Sequence, residues 1–457
     1  MTATAASVSE KLAQAIGALS PRSLPEAARR VAEDLLLDVF GLCLAARESD
    51  YVRALIAGLD GDGDGAATAI GHRRRLGAAG AALVNGTAAH GEDFDDTFEG
   101  GPVHAGAVIV PAVLAAAERF RPEGEAALLG IVVGVETICR LSLVAPRLVH
   151  KAGFHPTSVF GAVAAAAAVA ATLGLAPGAI VNALGIAGSM AGGIIEYLAD
   201  GSWTKRLHPG WAAQSGLNAA LLARAGFTGP RTVLEGTHGL FNGFAHSRDG
   251  DYGKLVDGFG ERWVAETLAF KPYACGTMAH PYIDCARRLA ARGLAPEAIA
   301  DLTCEVAEGT VHRLWEPLAA KQAPPNAYAA KFSTPFCIAV GFLTGDAGLA
   351  AFTAATVRDP RIRALAAKVR YVVDPQNPYP AAYTGHIRAT LLDGRAIEER
   401  QPHLRGGARE KLPRAEIEAK FFANAEHGGW RRAQAEPARD LARRLFDGPL
   451  DLAALRG

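Results

Sequence analysis

From the start of the chain to about residue 265, apolar residues recur at spacings of three and four, as the inward face of an α-helix requires. "SLPEAARRVAEDLLLDVFGLCLAA" carries that spacing, with Ser23 placed to cap it, Pro25 near the first turn and Glu26 close behind. "GAAGAALVNGTAAHG", "GAVIVPAVLAAAERF", "GEAALLGIVVGVETICRLSLV" and "PGAIVNALGIAGSMAGGIIEYL" predict further helices. Several are apolar nearly all round and rich in Gly and Ala. Such helices belong at the centre of a layered bundle, where small side chains let the axes approach closely.

Near residue 265 the period changes. "DLTCEVAEGT" (Asp301 to Thr310) and "KVRYVVD" (Lys368 to Asp374) alternate as strands do, and "GHIRATLLDGRAIEERQP" predicts two strands joined at Asp393-Gly394, a favoured hairpin turn. Helical patterns fall between them in "HPYIDCARRLAARG", "KFSTPFCIAVGFLTG" and "DAGLAAFT". After "HLRGGAREKLP" the chain returns to helix with "RAEIEAKFFANA" and "PARDLARRLFDG". A tail this short cannot bury its own core, so it is expected to pack back on the first segment. The expected fold is mainly α: an all-helical domain from residues 1–266 and 408–457, with a smaller α+β domain, 267–407, inserted between them.

Composition narrows the function classes. Half of the 457 residues are hydrophobic, and Lys+Arg and Asp+Glu balance at 47 each. No basic surplus remains for nucleic acid or an anionic membrane, so neither is an expected partner, and an anionic ligand must be held by a local cluster. The six cysteines are scattered with no C-x-x-C pair, which argues against structural zinc, an iron–sulfur cluster or a disulfide framework and fits a reduced, cytoplasmic compartment. "MTATAASVSEKLAQAIGALS" lacks a basic start followed by an apolar core, so no signal peptide is expected. The apolar run from Val159 is mostly Ala and ends at Pro177, which suits a buried helix better than a membrane span.

Four polar clusters interrupt this apolar sequence: "HGEDFDDTFEGGPVHAG" from His90, "KAGFHPTSVFG" with His155, "DGSWTKRLHPGW" with Lys205, Arg206 and His208, and "FKPYACGTMAH" with Lys271 and His280. Taken singly each has a plain structural role. Asp93, Asp95 and Asp96 can cap a helix, His155 can be a satisfied core histidine, Lys205-Arg206 can neutralise a helix C-terminus and Lys271 can sit in a linker. Together they ask for more, because an apolar bundle buries such groups only in pairs or against a ligand.

"VNGTAAHGEDFDDTFEGGPVHAGAVIVPAVLAAAE", "GFHPTSVFGAVAAAAAVA", "YLADGSWTKRLHPGWAAQSG" and "KPYACGTMAHPYIDCA" resemble the successive signatures of the MmgE/PrpD family, in order from about residue 5 to the end. Members of that family include 2-methylcitrate dehydratases, cis-aconitate decarboxylases and iminodisuccinate epimerases. The resemblance implies a helical domain with an α+β lid, a homodimer and no cofactor or metal. Carried over residue by residue, it implies catalytic roles for Asp93, Thr97, His155 and His280, and substrate-binding roles for His104, Lys205 and Lys271. Two positions depart from it: Phe336 stands where the related decarboxylase carries a tyrosine, and Lys331 where several relatives have glutamine.

The substrates implied are small di- or tricarboxylates with an acidic C–H beside a carboxylate. Removing that proton requires cations on the carboxylates, a base for the proton and an acid for the leaving group. Lys205, Lys271 and His104 can supply the cations. His155 and His280 are the expected proton-transfer pair. Asp93 can orient one of these histidines or act as base, with Thr97 donating a hydrogen bond. Dehydration of a 2-methylcitrate-like acid is the expected reaction. Epimerisation of a dicarboxylate such as iminodisuccinate is the alternative, and decarboxylation ranks last because Phe336 has no hydroxyl. Two other classes fit part of the sequence. "DDTFE" also fits the D-D-x-x-E magnesium run of helical terpenoid synthases, but their second metal motif is missing. A non-catalytic descendant would be expected to have lost some of these residues.

Overall fold

A computed structural model describes residues 5–59 and 65–457; the first four residues of the N-terminal stretch read above lie outside it. The chain folds as two compact units, Met1–Leu268 with Arg414–Gly457, and Ala269–Pro413. The sequence pattern put the boundaries at 266/267 and 407/408. The second lies later in the structure because the Gly406 carbonyl accepts from Phe270 N (3.0 Å) and Gly406 N donates to Glu410 O (2.7 Å), which tie the segment after the last strand to the smaller unit.

The first unit is a bundle of helices. Glu26–Ala46, Ala78–His90, Gly106–Phe120, Gly124–Val144, Pro156–Thr172, Pro177–Met190 and Thr204–Arg224 are its long members. Every residue of Pro156–Thr172 is buried, as a helix built of Ala, Val and Gly permits. Gly124–Val144 is long and apolar enough to cross a membrane, yet all but three of its 21 residues are buried inside the protein. It also carries the buried pair Glu136–Arg140, spaced i,i+4.

Small residues set the crossings. A Cβ on Gly86 would stand 2.6 Å from Gly210 Cα, and one on Gly210 would stand 2.1 Å from Leu83 O. The helices Ala78–His90 and Thr204–Arg224 therefore touch backbone to backbone. The C-terminal segment does pack back on the first. Its helix Arg414–His427 lies on Glu26–Ala46, where a Cβ on Gly41 would meet Phe421 Cα at 3.1 Å. Lys420 on that helix pairs with Asp38 (2.6 Å) and donates to Phe94 O (2.7 Å), holding the acid-rich loop from behind.

Three local expectations are corrected. Ser23 does not cap Glu26–Ala46: it lies in the turn Pro21–Ser23, and Pro25 is the N-cap, with no side-chain bond. The helix Pro177–Met190 stops before "AGGIIEYL", because Gly193 (φ +115°) lets the chain turn and run alongside Phe154, leaving only Tyr197–Asp200 helical. "DAGLAAFT" forms a single 3₁₀ turn, Leu349–Ala351, being too short to hold an α-helix between Gly348 and Thr353.

The second unit carries a four-stranded sheet in the order Val369–Val373, Ile299–Val306, Gly385–Leu391, Ala396–Gln401. The first pairing is parallel and the other two antiparallel. Gly394 (φ +85°) closes the hairpin at the Asp393-Gly394 turn. The helices His280–Ala291 and Thr334–Thr344 complete the unit.

Candidate active site

Three of the four polar clusters meet inside the helical unit. The first helix of the crossing, Ala78–His90, ends at His90, and the chain turns there because Asp93 takes up a left-handed backbone (φ 56°), a conformation that aspartate tolerates better than most residues. That turn aims the Asp93 carboxylate at Lys205, in the first turn of Thr204–Arg224. Nζ lies 2.6 and 2.7 Å from the two carboxylate oxygens. Lys205 thus sits at a helix N-terminus, where it cannot serve as the C-terminal neutraliser considered above.

One turn along from Lys205, on the same helix face, is His208. Its Nδ1 is 3.1 Å from Nδ1 of His155, the N-cap of the alanine-rich helix. Two Nδ1 atoms share one hydrogen only if at least one ring is neutral. The surroundings agree. Burial drives His155 well below the usual histidine range, helped by the charges of His90, His208, Lys205 and His104. Burial, then His90 and Lys205, push His208 down to about 4. His155 is itself held in place by its backbone, whose N–H donates to Gly193 O (2.8 Å).

The acid-rich loop supplies two more imidazoles. His90 and His104 have ring centroids 4.8 Å apart, and each is within 6.4 Å of the His155 ring. His104 Nδ1 lies 2.7 Å from Asp96 O and 3.5 Å from Asp95 Oδ1, and its backbone N–H donates to Thr157 Oγ1 (3.2 Å). His90 Nδ1 bonds Asp95 Oδ2 at 2.7 Å. The carboxylate that orients a histidine here is Asp95, whereas Asp93 binds Lys205. Asp96 performs the plain structural task, its two oxygens accepting the N–H groups of Ala105 and Gly106 at 2.8 Å each. Burial first, then Asp95 and Asp38, push Asp96 up to about 8, against the pull of those two donors. Thr97, buried, opens the short strand Thr97–Phe98 that follows.

Lys271 and His280 belong to the second unit, and both are buried. His280 Nε2 is 3.2 Å from Cys275 O. A carbonyl only accepts, so Nε2 carries the hydrogen, and Nδ1 is left buried with no hydrogen-bond partner among the described residues. Burial pushes the Cys275 thiol up, but its bond with Cys337, the charge of and a hydrogen bond with His280, and the charge of Lys271 outweigh that and bring it down. The imidazole bonded to His155 within its own unit is His208, which the sequence reading quoted without giving it a role. His90 likewise has no role in that reading, and Asp95 only that of a helix cap. The only signal for His208 was its spacing of three from Lys205.

A helical unit that gathers four imidazoles, three of them buried, around a lysine–carboxylate pair has the equipment of a proton-transfer enzyme. Residues 10–252 match the MmgE/PrpD N-terminal domain and residues 273–443 the MmgE/PrpD C-terminal domain. The chain belongs to the MmgE/PrpD family. It is 31% identical to a cis-aconitate decarboxylase of Mus musculus over 358 residues, 76% of this chain and 71% of that one. A cis-aconitate decarboxylase of Aspergillus terreus is 28% identical over 386 residues, 78% of this chain and 76% of its own. A cis-aconitate decarboxylase-like protein of Aspergillus oryzae is 30% identical over 297 residues, which span 62% of this chain and 61% of that relative.

Proposed function

We propose that this protein is a lyase acting on a small di- or tricarboxylate, with its own side chains carrying the proton transfers. The observation that supports this best is the His155–His208 pair, two neutral-leaning imidazoles bonded at 3.1 Å and set beside the Lys205 ammonium. With Nδ1 engaged, His155 offers Nε2 as the base for a C–H beside a carboxylate. Lys205 attracts the carboxylate, whose charge rises as the proton leaves. Asp93 keeps the ammonium aimed until the substrate carboxylate shares it.

Elimination of water from a 2-methylcitrate-like hydroxy acid is the preferred reaction. It needs a base and an acid together, and a cluster of imidazoles with different surroundings supplies both. Phe336 adds support, since it brings no hydroxyl and its ring packs in the core of the second unit, 6.1 Å from Phe352. Decarboxylation of an unsaturated tricarboxylate is the second reading, favoured by the names of the relatives at 28% and 31% identity. His280 and Lys271 are assigned to the same chemistry by the resemblance. A homodimer in the cytoplasm is part of the proposal, to be checked by sedimentation and by fractionation.

Proton NMR in D₂O separates these reactions in one experiment. The purified protein is incubated with a panel of hydroxy-polycarboxylates, cis-aconitate and iminodisuccinate. New vinylic signals from a hydroxy acid support the dehydratase. Release of CO₂ from cis-aconitate with no turnover of hydroxy acids replaces it with the decarboxylase. Deuterium entering the α position of a dicarboxylate, with changed optical rotation and no alkene, replaces both with an epimerase.

A further inference from the structure

His90 and Asp95 take no part in the steps above, yet both side chains are fully buried and they bond at 2.7 Å. A carboxylate on Nδ1 fixes the tautomer of the ring, placing the hydrogen on Nδ1 and leaving Nε2 to face its surroundings. Those surroundings are the other imidazoles, His104 at 4.8 Å and His155 at 5.7 Å between ring centroids. His90 Nε2 is buried and has no hydrogen-bond partner among the described residues. Leaving a buried polar atom unsatisfied costs about 1–3 kcal/mol, and such an atom calls for a specific explanation.

A cation is one candidate, since His90, Asp95 and His104 each place a ligand atom within 4.8 Å of the others. The bonds already present argue against it. His104 Nδ1 lies 2.7 Å from the Asp96 carbonyl, which can only accept, so that nitrogen carries a hydrogen and has no lone pair for a metal. His90 Nδ1 is likewise committed to Asp95, so a metal could bind only at the two Nε2 atoms, away from the Asp95 carboxylate that lies on the Nδ1 side of both rings and would be lost as third ligand.

We propose that His90 is the proton donor of the reaction and Asp95 its positioning residue, with His155 as the opposing base. The two rings differ in the way that separates an acid from a base. His90 has a carboxylate in direct contact to support a charged ring, whereas His155 is surrounded by three other imidazoles and an ammonium. In the elimination, His155 Nε2 takes the C–H proton and that electron pair becomes the new C=C bond. The C–O pair leaves with the hydroxyl, which receives the proton from His90 Nε2 and departs as water. His155 then carries a proton and His90 lacks one, so a single transfer between neighbouring rings or through solvent restores the start. The inference rests on the lyase reading above.

The test uses the full-length protein with Asp95→Asn and His90→Gln. Nitrogen-15 NMR of labelled histidines reads the His90 hydrogens without any substrate. Hydrogen on both His90 nitrogens, with Nδ1–H bonded to Asp95 and Nε2–H available to the leaving group, is expected in the wild type; the doubly protonated ring should be weakened in Asp95→Asn, whose amide has no negative charge to support it. With a turned-over substrate, kcat should fall about 10²–10⁴-fold in His90→Gln. In Asp95→Asn the alkaline limb of the kcat–pH profile should move to lower pH. A His90 Nε2 that carries no hydrogen in the wild type, near wild-type kcat in both variants, or a loss of rate with an unmoved pH limb would overturn the proposal. So would one equivalent of zinc that disappears with His90→Gln. A wild type inert toward every carboxylate defeats the lyase reading instead, and the hydrogens on the two His90 nitrogens still decide the dyad.

Discussion

Lys205 and Asp93 form a two-point ion pair, Nζ at 2.6 and 2.7 Å from the two oxygens, 112 residues apart in sequence. Nearly all of both side chains is buried, with exposures of 11% and 7%. Breaking a buried pair from one side strands the other charge, which costs about 3–5 kcal/mol. Lys205→Ala should therefore lower stability by that order and also raise KM for a polycarboxylate. The double variant Lys205→Ala/Asp93→Ala should regain part of the stability but none of the activity. Denaturant unfolding of the four proteins checks this, and strictly additive losses would contradict it.

The pair depends on a crossing that has no room for a side chain. Gly210→Ala would set a Cβ 2.1 Å from Leu83 O, a backbone atom that cannot swing away. Overpacking of this kind costs about 1–3 kcal/mol. The helix that carries Lys205 and His208 must shift, and a misplacement of about 1 Å at a reacting group can cost about 10²-fold in rate. Circular dichroism and kcat of Gly210→Ala measure both. Unchanged activity would show that the close approach does not position the site.

Acid should loosen the helical unit through its histidines. His208 is pushed down to about 4 and His155 well below its usual range, so the folded state holds these protons more weakly than the unfolded chain. Their contribution is fully present above about pH 6.5, where unfolded imidazoles titrate, and is lost as pH falls toward 4. For His208 the difference is on the order of 3 kcal/mol. The charged and titratable groups facing the pair are His90, His104 and Lys205, with Tyr197 at 6.5 Å from the His155 ring. Unfolding free energies of the wild type and His208→Gln between pH 7.5 and 4.5 (about the span of an imidazole titration) test this. The variant should lose less stability on acidification, and parallel curves would rule the contribution out.

His280→Ala and Lys271→Ala test the roles that the family resemblance implies for these two residues of the second unit. His280 buries an Nδ1 that has no hydrogen-bond partner among the described residues, the condition expected of an atom kept for substrate. His280→Ala should remove about 10²–10⁴-fold of kcat while the protein stays folded, and Lys271→Ala should act mainly on KM. Near wild-type kinetics in His280→Ala would remove it from the mechanism.

Much of this architecture is legible in the sequence. Period and composition give the bundle, the sheet-bearing insertion and the return of the C-terminal helices, because burial is written into spacing. The polar clusters are legible as well, since Asp, His and Lys stand out in runs of Ala, Gly and Val. Partner choice is not. Asp93, Asp95 and Asp96 lie within four residues, yet one binds Lys205, one a histidine and one a helix N-terminus. The left-handed turn at Asp93 and the Gly86–Gly210 contact make that division, and neither has a local sequence signature. His208 was hidden for the same reason. It is one turn from Lys205, but only the crossing of two helices shows that His155 stands opposite.

The rate at which solvent deuterium enters the C–H beside a substrate carboxylate, compared between wild type and His155→Ala, tests the central claim most directly. It reads the proton-removal step whether or not a leaving group departs. Expected is exchange in the wild type and a fall of about 10²–10⁴-fold in His155→Ala, with the folded structure intact. Equal exchange in the two proteins would contradict His155 as the base and, with it, the imidazole cluster as the seat of the chemistry.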